Sequence, residues 1–208
     1  MSAGGEEVDR DVEIVRRETV YRGFFDLDVL QLRHRRFDGG MSAPLRRELF
    51  KIDDAVCVLP YDPERDAVVL IEQFRVGALD HPRGPWLLEC VAGLMDEGET
   101  AEGTARREIV EETGLRPRRI EKIGTYAATP GAVTEHVTCF VAQVDAREAG
   151  GVHGLASEHE DIKTHLVDAG EAFGWIDEGR ITAVNALVPL RWLQVHRHDL
   201  RRRWQSAA

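Results

Sequence analysis

Polar and apolar positions alternate along much of the first fifty residues or so of the chain. The segment Leu27 to Phe37 follows the period of two that strands show, and it ends at the turn signal Asp38-Gly39-Gly40. A second alternating run, Leu45 to Ile52, comes after the turn. Together these patterns predict a small antiparallel β unit over residues 1–52.

Continuous apolar runs begin near Asp53, where we place the start of a second domain, 53–208. The runs AVCVLPYD and AVVLIEQF flank the turn segment Asp62 to Asp66, as the two strands of a hairpin do. Further strand-like runs and two amphipathic helices are expected after them. The strands are predicted at 120–129, 136–144 and 163–167, and the helices at 169–178 and 182–203.

One helix in between is marked by its end signals. It falls within the stretch GLMDEGETAEGTARREIVEETGL, which runs from Gly93 to Leu115. Thr100 can cap the start of the helix, and Gly114 followed by Pro117 can end it. The spacing therefore predicts a helix between Thr100 and Gly114.

Three glutamates share one face of this predicted helix. Glu108, Glu111 and Glu112 are three and four residues apart, so their side chains are neighbours and repel one another. Glu112 also follows Ile109 by three residues, which places it at the edge of the apolar stripe, where a carboxylate needs a partner. Clustered carboxylates suit Mg²⁺ or Mn²⁺, but the spacing alone leaves a solvated acidic helix face equally open.

Composition and charge narrow the class of protein. With 208 residues, 43% of them hydrophobic and 31% charged, the chain is expected to be a soluble globular protein. The net charge of −10 argues against nonspecific binding to nucleic acid or anionic membranes. No apolar stretch approaches the length of a membrane span, and the acidic segment MSAGGEEVDRDVE is unlike a signal peptide, so we expect a cytoplasmic location.

Three cysteines, Cys57, Cys90 and Cys139, lie in apolar or strand-like runs. Their odd number argues against a disulfide framework, and no cysteine and histidine spacing suggests a zinc site or a catalytic triad. We interpret them as small buried apolar residues.

The helix stretch resembles the Nudix box at every defined position, and this pattern is highly specific. The matching residues are Gly93, Glu99, Arg107, Glu108, Glu111, Glu112 and Gly114, with apolar residues at 109 and 115. The resemblance implies hydrolysis of a diphosphate joined to another moiety. It also implies an α+β Nudix fold, an α/β/α sandwich with a mixed sheet, to which 1–52 adds the small antiparallel unit.

Beyond the box, the chain is similar to bacterial ADP-ribose diphosphatases from about Val12 to Trp204. The similarity runs through ETVYRGFFDLD, VVLIEQFR, PWLLECVAG, TPG and GVHGLASEHEDI. Pro130 stands fifteen residues after Leu115, where a proline marks the ADP-ribose branch. Ala132 replaces a glycine that many relatives carry, which leaves the choice between ADP-ribose and other nucleoside diphosphate sugars open.

The resemblance further implies roles for individual residues. The catalytic residues would be Glu158 as the base, with Glu111 and Arg107 in support. The metal ligands would be the Ala92 carbonyl, Glu108, Glu112 and Glu160, holding two to three Mg²⁺ ions per site, or Mn²⁺. The substrate contacts would be Phe24 as the adenine platform, with Arg47, Arg75 and Glu135 on the phosphates or ribose.

The resemblance also implies a homodimer in which the N-terminal strands of one subunit complete the substrate pocket of the other. Two alternatives to an ADP-ribose hydrolase are a hydrolase of another nucleoside diphosphate sugar and a non-catalytic sensor that binds ADP-ribose. The complete set of box carboxylates favours an enzyme, because a binding protein has no need to retain every one of them.

Overall fold

The structure is a computed structural model that describes residues 11–205. It divides into two compact units. The first comprises Met1–Asp53 and Ala127–Glu135, and the second comprises Asp54–Tyr126 and His136–Ala208. The sequence placed a domain boundary at 52/53, and the structure adds the segment 127–135 to the N-terminal side of that boundary.

A three-stranded antiparallel sheet forms most of the N-terminal unit. Its strands β1 (Val12–Arg22), β2 (Asp26–His34) and β3 (Leu45–Lys51) lie in that order, so that β2 pairs with both others. Gly39 and Gly40 form the turn before β3 with φ angles of 90° and 74°, which favour glycine. The antiparallel unit predicted from the alternation is confirmed.

The segment 127–135 joins this unit through backbone and hydroxyl contacts. Thr134 Oγ1 accepts a hydrogen bond from Ile52 N at 2.9 Å and donates one to Ile52 O at 2.8 Å. Phe50 and Val133 form an isolated parallel bridge beside it. These contacts link residues about eighty positions apart, which the local patterns could not indicate.

The second unit is built on an eight-stranded mixed sheet. Its main path has the order β10-β11-β5-β4-β9-β8, with β6 beside β5 and β7 beside β4. The pairing of β4 with β9 is parallel, whereas β4 with β5 and β5 with β11 are antiparallel. The strands are β4 (Ala55–Asp62), β5 (Ala67–Phe74), β6 (Trp86–Glu89), β7 (Val91–Leu94), β8 (Arg119–Ala127), β9 (His136–Gln143), β10 (Val152–His153) and β11 (Ile162–Asp168).

Helices cover both faces of this sheet. The helices are α1 (Ala101–Thr113), α2 (Ala169–Asp177) and α3 (Val184–Gln205). On one face, Ala105 and Ile109 of α1 belong to a buried apolar cluster with sheet residues such as Ile71. On the other face, Phe173 of α2 and Leu190 of α3 belong to a second cluster. The predicted α/β/α sandwich is therefore confirmed, and burial on both faces explains why β4 and β5 read as continuous apolar runs.

The cysteines lie inside this unit as free, buried thiols, as predicted. Cys57 on β4 and Cys139 on β9 are paired in register, and their Sγ atoms are 3.1 Å apart. Burial raises the pKa of Cys90 well above its ordinary value, which keeps this thiol protonated. Within residues 11–205, no helix combines the length and the apolar character that a membrane span requires.

Candidate active site

Local signals set the ends of α1, which carries the box glutamates. Thr100 Oγ1 accepts a hydrogen bond from Gly103 N at 3.1 Å and thereby caps the first turn. At the other end, Gly114 has a left-handed φ of 69° and donates from its N–H to Val110 O. Both predicted end signals are confirmed.

Glu112 is a deeply buried carboxylate on α1, with only 1% of its surface exposed. Its Oε2 accepts a hydrogen bond from Ala92 N in β7 at 3.1 Å. Burial raises the pKa of Glu112 to about 9, and the nearby charges of Glu108 and Glu160 act in the same direction. An ionised Glu112 is therefore costly unless a positive charge approaches it.

Glu108 lies one turn earlier on α1 and is also buried, with 9% exposed. Burial raises the pKa of Glu108 to about 7, because the attraction of Arg107 only partly offsets desolvation and the repulsion of Glu111. Its side chain lies directly against Gly93, where an added Cβ would stand 1.8 Å from Glu108 Oε1. The glycine of the box thus makes room for this carboxylate.

Arg107 connects three of the box glutamates. Its Nε and Nη2 each donate to one carboxylate oxygen of Glu99 at 3.0 Å, which makes a bidentate pair. Its Nη1 donates to Glu108 at 2.7 Å and to Glu111 at 2.9 Å. The same pair with Arg107 lowers the pKa of Glu99 to about 2. Arg107 therefore fixes the orientation of neighbouring carboxylates.

The loop between β10 and β11 adds further carboxylates to this region. Gly154 N in the loop donates to the carbonyl of Glu111 at 3.3 Å, which attaches the loop to α1. Glu160 Oε2 accepts from Leu155 N at 3.1 Å and so stabilises the loop itself. Glu158 ends a short 3₁₀ turn, Ala156–Glu158, and is exposed to solvent.

Glu160, which is partly exposed, is close enough to the box for its charge to act on the two buried carboxylates of α1. That charge raises the pKa of both Glu108 and Glu112. Glu112 also contacts Ala92, the other residue that the resemblance assigned to metal binding, but it does so through the Ala92 N–H. The role of these four residues in metal binding remains a prediction.

Arg75 follows β5 and is held by a residue that was not predicted from the sequence. Its Nε and Nη2 donate to Glu89 Oε2 at 3.0 Å and 2.7 Å. Glu89 is only 4% exposed, and its Oε2 also accepts from Asn185 Nδ2 at 3.3 Å. Burial opposes the charge of Arg75, but the hydrogen bonds and charge of Glu89 outweigh burial and raise the pKa of Arg75, and the charges of Glu112 and Glu160 act in the same direction.

A signal for Glu89 was present in the sequence. It is the one charged residue in the apolar run Trp86 to Ala92, and a charge in such a run needs a buried partner. Nothing around Asn185 marks that residue in the same way.

The other predicted substrate contacts lie in the N-terminal unit. Phe24 is 85% exposed, and its ring meets the ring of Phe25 edge to face at 4.7 Å. Arg47 is exposed on β3, where its Nη1 donates to the carbonyl of Arg46 at 2.9 Å. The Glu135 carbonyl accepts from Ala128 N at 3.2 Å. Their role in substrate binding remains a prediction.

The donor set of the second unit suits a hard divalent cation. Buried, like-charged carboxylates such as Glu108 and Glu112 offer the oxygen ligands that Mg²⁺ and Mn²⁺ prefer, and a cation would remove their mutual repulsion. Across residues 11–205, however, no three His, Cys, Asp or Glu side chains converge as they stand into a cage for a metal ion. Hydrogen bonds from Arg107 to Glu108 and from Leu155 N to Glu160 hold those two carboxylates in other contacts.

Comparisons with known proteins agree with this geometry. The NUDIX domain model matches residues 51–198. The chain is 48% identical over 194 residues to an ADP-ribose pyrophosphatase of Escherichia coli K12, covering 93% of each chain. It is 41% identical over 201 residues to an ADP-ribose pyrophosphatase of Haemophilus influenzae, covering 95% of this chain and 93% of the relative. A GDP-mannose pyrophosphatase of Cronobacter sakazakii is 33% identical over 191 residues, with 89% and 96% covered.

A solved structure gives the same fold. The crystal structure of an ADP compounds hydrolase superposes with a TM-score of 0.68 at 20% identity and covers 90% of this chain and 96% of that one. The family match covers most of the chain and includes the α1 carboxylates, their arginine and their glycine. The chain therefore belongs to the NUDIX family.

Proposed function

We propose that the protein hydrolyses the diphosphate of ADP-ribose and releases AMP and ribose 5-phosphate. The observation that carries this proposal is the 48% identity to an ADP-ribose pyrophosphatase over 93% of both chains. The intact arrangement of Arg107 with Glu99, Glu108 and Glu111 supports an enzyme over a sensor that only binds. The weaker likeness to a GDP-mannose pyrophosphatase makes that sugar nucleotide the second candidate substrate.

The proposed metal ligands are the Ala92 carbonyl and the carboxylates of Glu108, Glu112 and Glu160. They would hold two to three Mg²⁺ ions, with Mn²⁺ as the alternative. When bound, these cations withdraw charge from the diphosphate oxygens and acidify the attacking water. Burial and mutual repulsion of the carboxylates support this assignment, since both effects are relieved by positive charge.

Residues of the chain itself perform the remaining steps. Glu158 accepts a proton from the attacking water, whose oxygen forms a new bond to phosphorus while the bond from that phosphorus to the bridging oxygen breaks. The Arg75 guanidinium donates to phosphate oxygens and stabilises the charge that develops there. Arg107 and Glu111 keep Glu108 in its orientation. The exposed position of Glu158 on a loop attached to α1 suits a group that meets the substrate as it binds.

We propose a homodimer in which Phe24, Arg47 and Glu135 bind the substrate of the partner subunit. Phe24 would stack on adenine, while Arg47 would contact phosphate. The burial pattern of β1 supports an association through this region, because ten of its eleven residues are exposed in the single chain. Long, exposed edge strands with apolar residues tend to pair with another chain.

The association is expected to appear in a solution mass measurement. The purified protein should elute at about twice its chain mass of 23.4 kDa at micromolar concentration. A double substitution in β1, Val20→Glu with Tyr21→Glu, should shift it to the single-chain mass and weaken substrate binding, because charges desolvated in an interface are costly. Val152→Glu, at another exposed apolar position, serves as the control. A wild-type protein of single-chain mass would contradict the proposed dimer.

The activity itself is tested by incubating the protein with ADP-ribose, ADP-glucose and GDP-mannose, with Mg²⁺ or with a chelator, and by measuring nucleoside monophosphate release. We expect Mg²⁺-dependent cleavage with a preference for ADP-ribose. Glu158→Gln should lower turnover about a hundredfold or more, roughly the least that a general base typically contributes, whereas a loss of only a few-fold would rule Glu158 out as the base. Preferred cleavage of another sugar nucleotide would change the substrate, and binding without turnover would indicate a sensor.

A further inference from the structure

Asn185, in the first turn of α3, has a side-chain amide whose nitrogen is hydrogen-bonded and whose oxygen is not. Its Nδ2 donates to Glu89 Oε2 at 3.3 Å. Its Oδ1 is buried, and it accepts no hydrogen bond from any residue that the structure describes. A buried carbonyl oxygen without a donor destabilises the folded state, so an apolar side chain of similar size would suit this helix better. The contact with Glu89 therefore needs a reason other than stability.

Glu89 in turn determines which part of the Arg75 guanidinium remains available. One oxygen, Oε2, accepts from both Nε and Nη2, which form one edge of the planar group. The other edge, formed by Nη1 and the second N–H of Nη2, donates no hydrogen bond to any residue in the described part of the chain and is available to a ligand. That edge is a fork of parallel N–H groups, the geometry that binds two phosphate oxygens at once.

Asn185 limits how the Glu89 carboxylate can turn. Three N–H donors converge on Oε2, two from Arg75 and one from Asn185. Without the donor on α3, the carboxylate could rotate about its terminal torsion, which is broad in glutamate, and present both oxygens to Arg75. The guanidinium would then tilt, and its free edge would point elsewhere.

We infer that Asn185 is a positioning residue that fixes the Glu89 carboxylate and thereby directs the free edge of Arg75 toward the diphosphate. The inference deepens the proposed function and rests on it. Arg75 is close enough to Glu112 and Glu160 for their charges to act on it, in addition to the larger effects of burial and of Glu89. A phosphate bound at those carboxylates is therefore the ligand that we assign to the free edge. The N-terminal end of α3 thus takes part in orienting the phosphate-binding arginine, although it carries none of the box residues.

Asn185→Leu is the test, because it removes both the donor and the unsatisfied oxygen. We expect turnover of ADP-ribose to fall roughly tenfold, the loss expected for one hydrogen bond to a charged group, with KM nearly unchanged. The melting temperature should stay the same or rise. Val184→Ala, a change at the exposed neighbour in the same turn, should alter neither quantity. Wild-type turnover in Asn185→Leu, or a loss of turnover that accompanies a lower melting temperature, would overturn the inference.

Two further measurements separate this inference from the proposed reaction. In a Glu89→Gln background, Asn185→Leu should add little to the loss, since both act through Arg75, whereas additive losses would contradict the inference. The Nε–Hε signal of Arg75 in ¹H–¹⁵N spectra, assigned with Arg75→Lys, should shift in Asn185→Leu without any substrate. An unchanged signal would overturn the positioning role. A shifted signal in a protein that does not cleave ADP-ribose would uphold that role and refute only the proposed reaction.

Discussion

Glu112→Gln is expected to raise the melting temperature of the metal-free protein and to lower turnover roughly a thousandfold. Turnover falls because several kcal/mol of charge stabilisation depend on the cations that Glu112 helps to hold. Glu112 is 1% exposed, and its pKa of about 9 means that the folded protein disfavours its ionised form at neutral pH. Glutamine keeps the shape and can still accept the hydrogen bond from Ala92 N. At pH 7 the variant avoids a cost on the order of 3 kcal/mol, or roughly 5–10 °C in melting temperature.

The pH dependence of this gain has a defined direction. A carboxyl group whose folded pKa lies above its unfolded value of 4.5 destabilises the protein increasingly as pH rises above 4.5, and the cost levels off above the folded value of about 9. Measured by calorimetry in a chelator, the difference in melting temperature between Glu112→Gln and wild type should therefore be small at about pH 5 and should grow toward about pH 8.

Added Mg²⁺ should reverse the order of stability. In the wild-type protein, bound cations would neutralise the buried carboxylate, whereas in Glu112→Gln one metal ligand is missing. Mg²⁺ should therefore raise the melting temperature of the wild type more than that of the variant. Glu102→Gln, on an exposed part of the same helix, is the matched control. It loses only a surface ion pair with Arg106, so it should lower stability by at most about 1 kcal/mol and leave turnover unchanged. A lower melting temperature for metal-free Glu112→Gln would contradict the proposed cost of the buried charge.

The box helix was predictable because its chemistry is local. The cap at Thr100, the stop at Gly114 and the pair of Arg107 with Glu99 all join residues fewer than fifteen positions apart, and helical geometry fixes which of them meet. The edge position of Glu112 was likewise readable from its spacing to Ile109. Burial of this residue in the structure agrees with that reading.

The contacts that hold Arg75 in place could not be predicted from the sequence in the same way. Glu89 and Asn185 are 96 positions apart and meet only because β6 and α3 come together in the folded second unit. The segment 127–135 was assigned to the second domain for a similar reason. In the sequence it lies mostly between two predicted strands of the second domain, whereas its membership in the N-terminal unit depends on bonds such as that between Thr134 and Ile52.

Gly93 shows how a residue without a side chain can control the site. Gly93→Ala is expected to lower turnover roughly a hundredfold, the upper end of the range for displacing a group that orients metal ligands. The new Cβ would lie 1.8 Å from Glu108 Oε1 and 2.2 Å from its Cδ, so the carboxylate must move. It has little freedom to do so, because Arg107 holds Oε1 at 2.7 Å and the side chain is buried. Turnover measured over a range of Mg²⁺ concentrations should show a weaker apparent metal affinity.

Gly174→Ala provides a matched control for this substitution. Gly174 lies within α2, has no heavy atom within 4 Å of its added Cβ and has no positive φ. Alanine there should stabilise the protein by about 0.5–1 kcal/mol through helix propensity and leave turnover unchanged. If Gly93→Ala kept wild-type turnover and metal dependence, Glu108 could not be a ligand held in the position that the structure gives it. The space at Gly93 would then serve only the packing of β7 against α1.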